Sequence, residues 1–248
     1  MRETSPPIFD NSLYRRLIIR PLAKKYAKPL YNMGFTAIRV CWLKLLAGLL
    51  GAFILSSKSP ILCFIGMLFL QMNFFLDAAD GEVARLRGEA SKLSGEYIDK
   101  LFDHLPKTAM YFFWGFGTFR LTGSYLPLFC GAFFAAWNIY PRFCAVETLL
   151  ERMDKAPEIL NNQKFHESVK KAFVVKKERG GADFMLTMFV HPSMNLLSVF
   201  FLVEIFIKEV VIGENTLYLR YALLLIFTLV GIVNFVRKGV RFKRSLDF

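Results

Sequence analysis

Four aspartates, Asp77, Asp80, Asp99 and Asp103, fall within one run, DAADGEVARLRGEASKLSGEYIDKLFD. Their spacing is helical. Asp77, Asp80, Gly81 and Ala84 stand at i, i+3, i+4 and i+7, which is one face of a helix. Gly95, Asp99 and Asp103 stand at i, i+4 and i+8, again one face. A short charged turn, Arg85 to Ser94, separates the two, so a helical hairpin can point all four carboxylates at one another. Carboxylate oxygens converging in this way suit hard divalent cations. Gly81 and Ala84 are bare places on the same face, where a ligand or a second helix can come close to the backbone.

The elements that must position these acids are apolar. Ile61–Leu76 and much of Leu105–Phe119 have the composition of membrane spans. A carboxylate at the centre of a spanning helix costs about 2.5–3.5 kcal/mol on an insertion scale, so four cost roughly 10 kcal/mol. Two divalent cations would cancel the four negative charges and offset that cost.

The run resembles the signature of the CDP-alcohol phosphotransferase family, D-x-x-D-G-x-x-A-R followed by G-x-x-x-D-x-x-x-D. The matching residues are Asp77, Asp80, Gly81, Ala84, Arg85, Gly95, Asp99 and Asp103. The stretch between Arg85 and Gly95 holds one residue more than the family pattern, and it falls in the turn. The resemblance implies a membrane enzyme that transfers a substituted phosphate, commonly phosphatidyl from CDP-diacylglycerol, to an acceptor alcohol with release of CMP. It implies two Mg²⁺ or Mn²⁺ ions held by Asp77, Asp80, Asp99 and Asp103, with Asp103 also taking the acceptor hydroxyl proton. It implies a nucleotide site built from Asp80, Gly81, Ala84, Arg85 and Gly95, and a homodimer. The chain departs from the family where the first span begins. A Pro-Asn-x-x-Thr pattern is expected there, but Ala37-Ile38-Arg39-Val40-Cys41 stands in its place.

The whole chain agrees with a polytopic membrane protein. It has 248 residues, 54% of them hydrophobic, and a mean hydropathy of +0.38, too apolar for an ordinary soluble domain. The net charge of +12 is read as basic loops facing anionic lipid rather than as a nucleic-acid surface. Cys41, Cys63, Cys130 and Cys144 lie in apolar segments without C-x-x-C spacing and read as small buried hydrophobes. The first 12 residues are polar and are not read as a signal peptide.

The expected fold is an all-α integral membrane protein with six transmembrane helices and an N-terminal amphipathic surface helix. Residues 1–34 form the juxtamembrane segment, in which Tyr14, Ile18, Leu22, Tyr26 and Leu30 recur every four positions and Pro21 and Pro29 break the helix. Residues 35–236 form the six-helix domain, with spans near 35–55, 61–83, 95–120, 125–149, 184–207 and 217–236. Pro106 is expected to kink the third or to free a backbone carbonyl. Residues 237–248 form a basic tail. With the N-terminus inside, the inner segments 1–34, 85–94, 151–182 and 237–248 hold seven, three, eight and five Lys or Arg. The outer turns hold only Lys58, Arg120 and Lys208, so the positive-inside rule places the aspartates at the cytoplasmic face of a cell membrane or endomembrane.

Other ionisable groups within spans are candidates for acceptor or phosphate binding. Arg142 either binds phosphate or pairs with a carboxylate. Lys44 either joins the site or snorkels to the interface. Lys107 lies one turn beyond Asp103 and serves acceptor phosphate or a buried acid. His191, before Pro192, reads as a core histidine. Glu82 and Glu96 fall off the aspartate faces and read as solvated at the hairpin mouth. Two other readings stay open: a divalent-cation transporter or channel, which would need acids along a path open to both faces, and an inactive membrane scaffold, which the altered first span allows.

Overall fold

The computed structural model describes residues 19–88, 93–155, 194–212 and 215–246. Those residues form α1 (Arg20–Asn32), α2 (Ala37–Ile54), α3 (Pro60–Arg87), α4 (Leu93–Thr122), α5 (Leu126–Lys155), α6 (Met194–Phe206), a hairpin of β1 (Glu209–Ile212) and β2 (Asn215–Tyr218), and α7 (Leu219–Leu246). α2 lies between α3 and α4. α1 and α6 pack on α3, α5 packs on α4, and α7 packs on α5.

Local chemistry sets the ends of the two helices that matter most. The Thr36 hydroxyl caps α2 by accepting the Arg39 N–H at 3.4 Å. Pro60 opens α3, where a missing N–H costs nothing. Gly88 closes α3 in the left-handed conformation at φ +62°, its N–H bonded back into the last turn. At about 1.5 Å per residue, the 28-residue α3 is about 42 Å long, more than the roughly 30 Å hydrocarbon core. Its C-terminal turns, which carry Asp80, therefore reach towards the interface.

Among the described residues, α2, α3 and the Leu219–Arg237 part of α7 are long and apolar enough to cross a membrane. Leu126–Ala136 of α5 and Leu196–Phe206 of α6 are shorter apolar stretches. The 30-residue α4 has the length of a span, but Asp99, Lys100, Asp103 and Lys107 interrupt its apolar character. The chain is thus a mostly helical, membrane-integral protein.

Several expectations need correction. Pro29 does not break α1, which runs through it to Asn32. The face of α1 that packs is Ala23 and Ala27, both buried, while Leu22 and Tyr26 of the expected apolar stripe are exposed. Small side chains win because they let α1 lie close against α3. Residues 1–18 lie outside the described part. The chain is not purely α: Val210, Val211 and Thr216 sit in an antiparallel hairpin with Glu209 opposite Tyr218, in keeping with the strand preference of β-branched residues. The segment from Glu151, expected to be partly helical, starts as the last residues of α5 to Lys155, and the basic segment after residue 236 continues α7 to Leu246. Residues 156–193, including the start of the expected fifth span and His191, lie outside the described part.

One large apolar cluster, built on Met67, Leu70, Met110, Trp114, Phe201 and Phe227, packs α3, α4, α6 and α7 together, and smaller ones around Leu76 and Phe102 flank the aspartates. Trp114 meets Phe201 and Phe227 edge-on at 5.9 and 5.8 Å. Helices cross closely at glycines: a Cβ at Gly51 would stand 2.6 Å from the Gly66 carbonyl oxygen, and one at Gly115 would stand 2.7 Å from the Gly131 Cα. Beyond this core the turn between α2 and α3 is held by two arginines. Arg120 donates to the Ser56 carbonyl at 3.2 Å and Arg220 to the Ser57 carbonyl at 2.8 Å. Arg220 also pairs with Glu204, both fully buried. Neither Glu204 nor Arg220 stood out in the sequence; their only signal is a charge in the last turn of α6 and another in the first turn of α7, on either side of the hairpin.

Candidate metal centre

Asn73, Asp77 and Asp80 lie at i, i+4 and i+7 on α3, so they share the face turned to α2 and α4. Cys41, Lys44 and Gly48 share the facing stripe of α2, and Asp99 and Asp103 that of α4. Two contacts set the helices in register. The Asn73 side-chain amide donates to the Lys44 carbonyl oxygen at 2.7 Å, within the buried interior. Pro106 packs against Gly48, where a Cβ would stand 2.6 Å from the Pro106 Cβ. α4 runs through Pro106 as one helix, and the proline ring takes the space that Gly48 leaves.

The four aspartates converge, and a lysine lies at their centre. Lys44 Nζ is 2.6 Å from Asp99 Oδ1, 2.9 Å from Asp103 Oδ1, 3.1 Å from Asp77 Oδ1 and 3.4 Å from Asp80 Oδ2. The Lys44 side chain is fully buried, so it does not snorkel. The pull of four carboxylates exceeds what an ammonium gains from reaching the interface along an apolar path. Cys41 adds a fifth group. Its thiol donates to Asp80 Oδ2 at 3.3 Å and lies 4.0 Å from Asp99 Oδ1. In the sequence Cys41 reads as a small apolar residue; only its i, i+3 spacing to Lys44 could have marked it.

The cluster opens on one side. Asp80 and Asp77 side chains are 11% and 15% exposed, whereas Asp103 and Asp99 are 32% and 46% exposed. Access is therefore along α4. Beside the cluster, the space where a Gly81 side chain would stand is open apart from the Arg85 guanidinium 3.9 Å away. Ala84 is half-buried. Arg85 is exposed and pairs with Glu82 at 2.8 Å, so Glu82 is not merely solvated. Gly95 lies in the first turn of α4. Lys107 is half-buried one turn past Asp103. Arg142 is carried by α5, but its side chain, like those of Glu96 and Cys144, lies outside the described residues.

These donors fit divalent cations. Asp77, Asp99 and Asp103 bring oxygens within 4.8 Å of one another, and Cys41, Asp80 and Asp99 do the same with one sulfur and two oxygens. Carboxylates in this number prefer Mg²⁺ or Mn²⁺. A cationic group already stands among them, so the field of the site favours positive charge.

A family model described as CDP-alcohol phosphatidyltransferase matches residues 33–154. The match spans α2 to α5 and contains every residue of the cluster. No curated protein matches the chain.

Proposed function

With a CDP-alcohol phosphatidyltransferase domain over residues 33–154, we propose that the protein transfers a phosphatidyl group from CDP-diacylglycerol to a small alcohol, releasing CMP. The observation that supports it is the convergence of Asp77, Asp80, Asp99 and Asp103 on one point inside that domain. The four carboxylates would hold two Mg²⁺ or Mn²⁺ ions, which when bound neutralise the pyrophosphate and favour in-line displacement.

The chain's own residues then have distinct tasks. The open space at Gly81, with Ala84 and Gly95, admits the cytidine nucleotide, and Arg85 exchanges its exposed pairing with Glu82 for a donor phosphate. Asp103 accepts the proton of the acceptor hydroxyl as its oxygen bonds to the lipid-linked phosphorus. The bond from that phosphorus to the CMP oxygen breaks, and CMP leaves with the electron pair. Lys107, one turn deeper, and Arg142 are candidates for a phosphate on the acceptor.

Six spans, a surface-lying N-terminal segment before residue 35 and a basic tail after residue 236 complete the proposed architecture. The distribution of Lys and Arg turns the aspartates to the cytoplasm. A homodimer is proposed on the family resemblance alone. A cation pathway is disfavoured, because the acids cluster at one end of α3 and α4 while the other end is closed by aromatic core and the Glu204–Arg220 pair.

The test is reconstitution of the purified protein in liposomes with CDP-diacylglycerol, Mg²⁺ or Mn²⁺ and a panel of alcohols that includes serine, glycerol phosphate and inositol phosphate. Metal-dependent CMP release with one of them is expected. Absence of CMP release across the panel, in protein that binds Mn²⁺, would overturn the reading for this donor.

A further inference from the structure

We propose that Lys44 is a built-in counter-cation of the aspartate cluster, which holds the four carboxylates together without metal and competes with metal for them. This rests on the proposed metal-dependent function, and it concerns a residue that the signature motif does not include.

A lysine ammonium has three N–H donors. Those of Lys44 are directed to Asp77, Asp99 and Asp103, all within 3.1 Å. Asp80, the fourth acid, is 3.4 Å away and takes the Cys41 thiol instead. The donor capacity of the ammonium is thus filled by three acids from two helices. Its stem is fixed as well, since Asn73 holds the Lys44 carbonyl and Gly48, one turn on, is pinned by Pro106. A side chain anchored in this way delivers its charge to one place.

The electrostatics follow. Four carboxylates alone would carry a formal charge of −4 in a largely buried site; with Lys44 the charge is −3. Removing a partner from a buried ionic cluster leaves uncompensated charge and destabilises strongly. Lys44 therefore lets the helices pack before any metal arrives. A divalent ion that takes the same oxygens must share them with the ammonium or displace it, and it is repelled by the ammonium at close range. Lys44 thus stabilises the metal-free protein and weakens metal binding through the same contacts.

Lys44→Met separates these effects, because it keeps an unbranched stem only one atom shorter and removes the charge. Mn²⁺ binding to the purified full-length protein in detergent is followed by the electron paramagnetic resonance signal of free Mn²⁺, and thermal unfolding is followed with EDTA and with Mn²⁺. Relative to wild type, Lys44→Met is expected to bind Mn²⁺ at least about tenfold more tightly. It should also unfold at lower temperature in EDTA and recover most of the difference in Mn²⁺. A variant that folds only when Mn²⁺ is present throughout purification would equally bear the proposal out, since a metal cation would then replace the ammonium. Unchanged or weaker Mn²⁺ affinity would overturn it. So would a variant that fails to fold with Mn²⁺ as well as without, for Lys44 would then do something a cation cannot. The outcome is separable from that of the transferase reading. CMP release by wild type with no change of affinity in Lys44→Met sinks the counter-cation role alone. Tighter Mn²⁺ binding by the variant with no CMP release from either protein leaves the counter-cation role standing and sinks the transferase.

Discussion

The Asn73 amide and the Lys44 carbonyl oxygen, 2.7 Å apart, tie α3 to α2 one turn before Asp77. Lys44 Nζ closes the loop by meeting Asp77 at 3.1 Å. One side-chain-to-backbone bond and one ion pair therefore fix the register between a helix that carries acids and one that carries the balancing charge. A shift of a single residue in either would turn Lys44 about 100° away from the aspartates.

Loss of one carboxylate should remove the metal chemistry. Asp99→Asn keeps the shape of the side chain but replaces a charged ligand with a neutral amide. We expect its kcat/KM for CMP release to fall by about 10²–10³-fold or more, and excess EDTA to silence the wild type. Full turnover by either preparation would remove the metal from the mechanism.

The acids should differ in what they contribute. Asp103 is 32% exposed on the open side, whereas Asp80 is 11% exposed beside Gly81. Asp103→Asn is expected to lower kcat severely with donor binding largely kept, and Asp80→Asn to weaken donor binding as well. Calorimetry with a CDP-lipid donor and metal, in the absence of acceptor, makes the comparison. Equal loss of binding in both variants would reduce the four aspartates to a single undifferentiated cage.

The Glu204–Arg220 pair should matter for stability and not for chemistry. Both side chains are fully buried. Arg220→Met leaves Glu204 uncompensated and should cost about 3–5 kcal/mol, while Arg220→Met with Glu204→Leu should recover much of it. Thermal unfolding in detergent measures this. The kcat/KM of the double variant should stay within about twofold of wild type at a temperature where it is folded.

Gly48→Ala tests the helix crossing that aims Lys44 and Asp103. A Cβ there meets Pro106 and the Asn73 amide at 2.6–2.8 Å. Relief requires α4 to move outward, and overpacking of this kind costs about 1–3 kcal/mol. A lower unfolding temperature together with a reduced kcat is expected. Unaltered values of both would mean that the crossing is loose enough to absorb a methyl group.

Topology is open to direct labelling. With the native cysteines replaced, Lys58→Cys should react with an impermeant thiol reagent added outside intact cells, and Ser5→Cys should react only after permeabilisation. The reverse pattern would put the aspartates on the non-cytoplasmic side.

The sequence by itself determined the membrane setting, because an apolar composition with charges gathered between long apolar stretches admits few other folds. It determined the spacing of Asp77, Asp80, Asp99 and Asp103 as well, since helical periodicity is a local property and charges recurring at three and four residues share a face wherever the helix goes. The bounds of α2, expected at 35–55 and found at 37–54, were legible for the same reason. Lys44 was a candidate from its place within a span, but its position at the centre of those acids, and Cys41 beside it, were not legible. Lys44 and Cys41 lie more than 30 positions away in the chain, on a helix whose register depends on Asn73 meeting a backbone carbonyl and on Pro106 meeting a glycine. Nor was the packing face of α1, where Ala23 and Ala27 prevailed over Leu22 and Tyr26. In a membrane, large apolar side chains gain as much from lipid as from protein, so close approach of small residues decides which faces meet. Contacts of that kind depend on how two helices fit together, a property that neither helix carries alone.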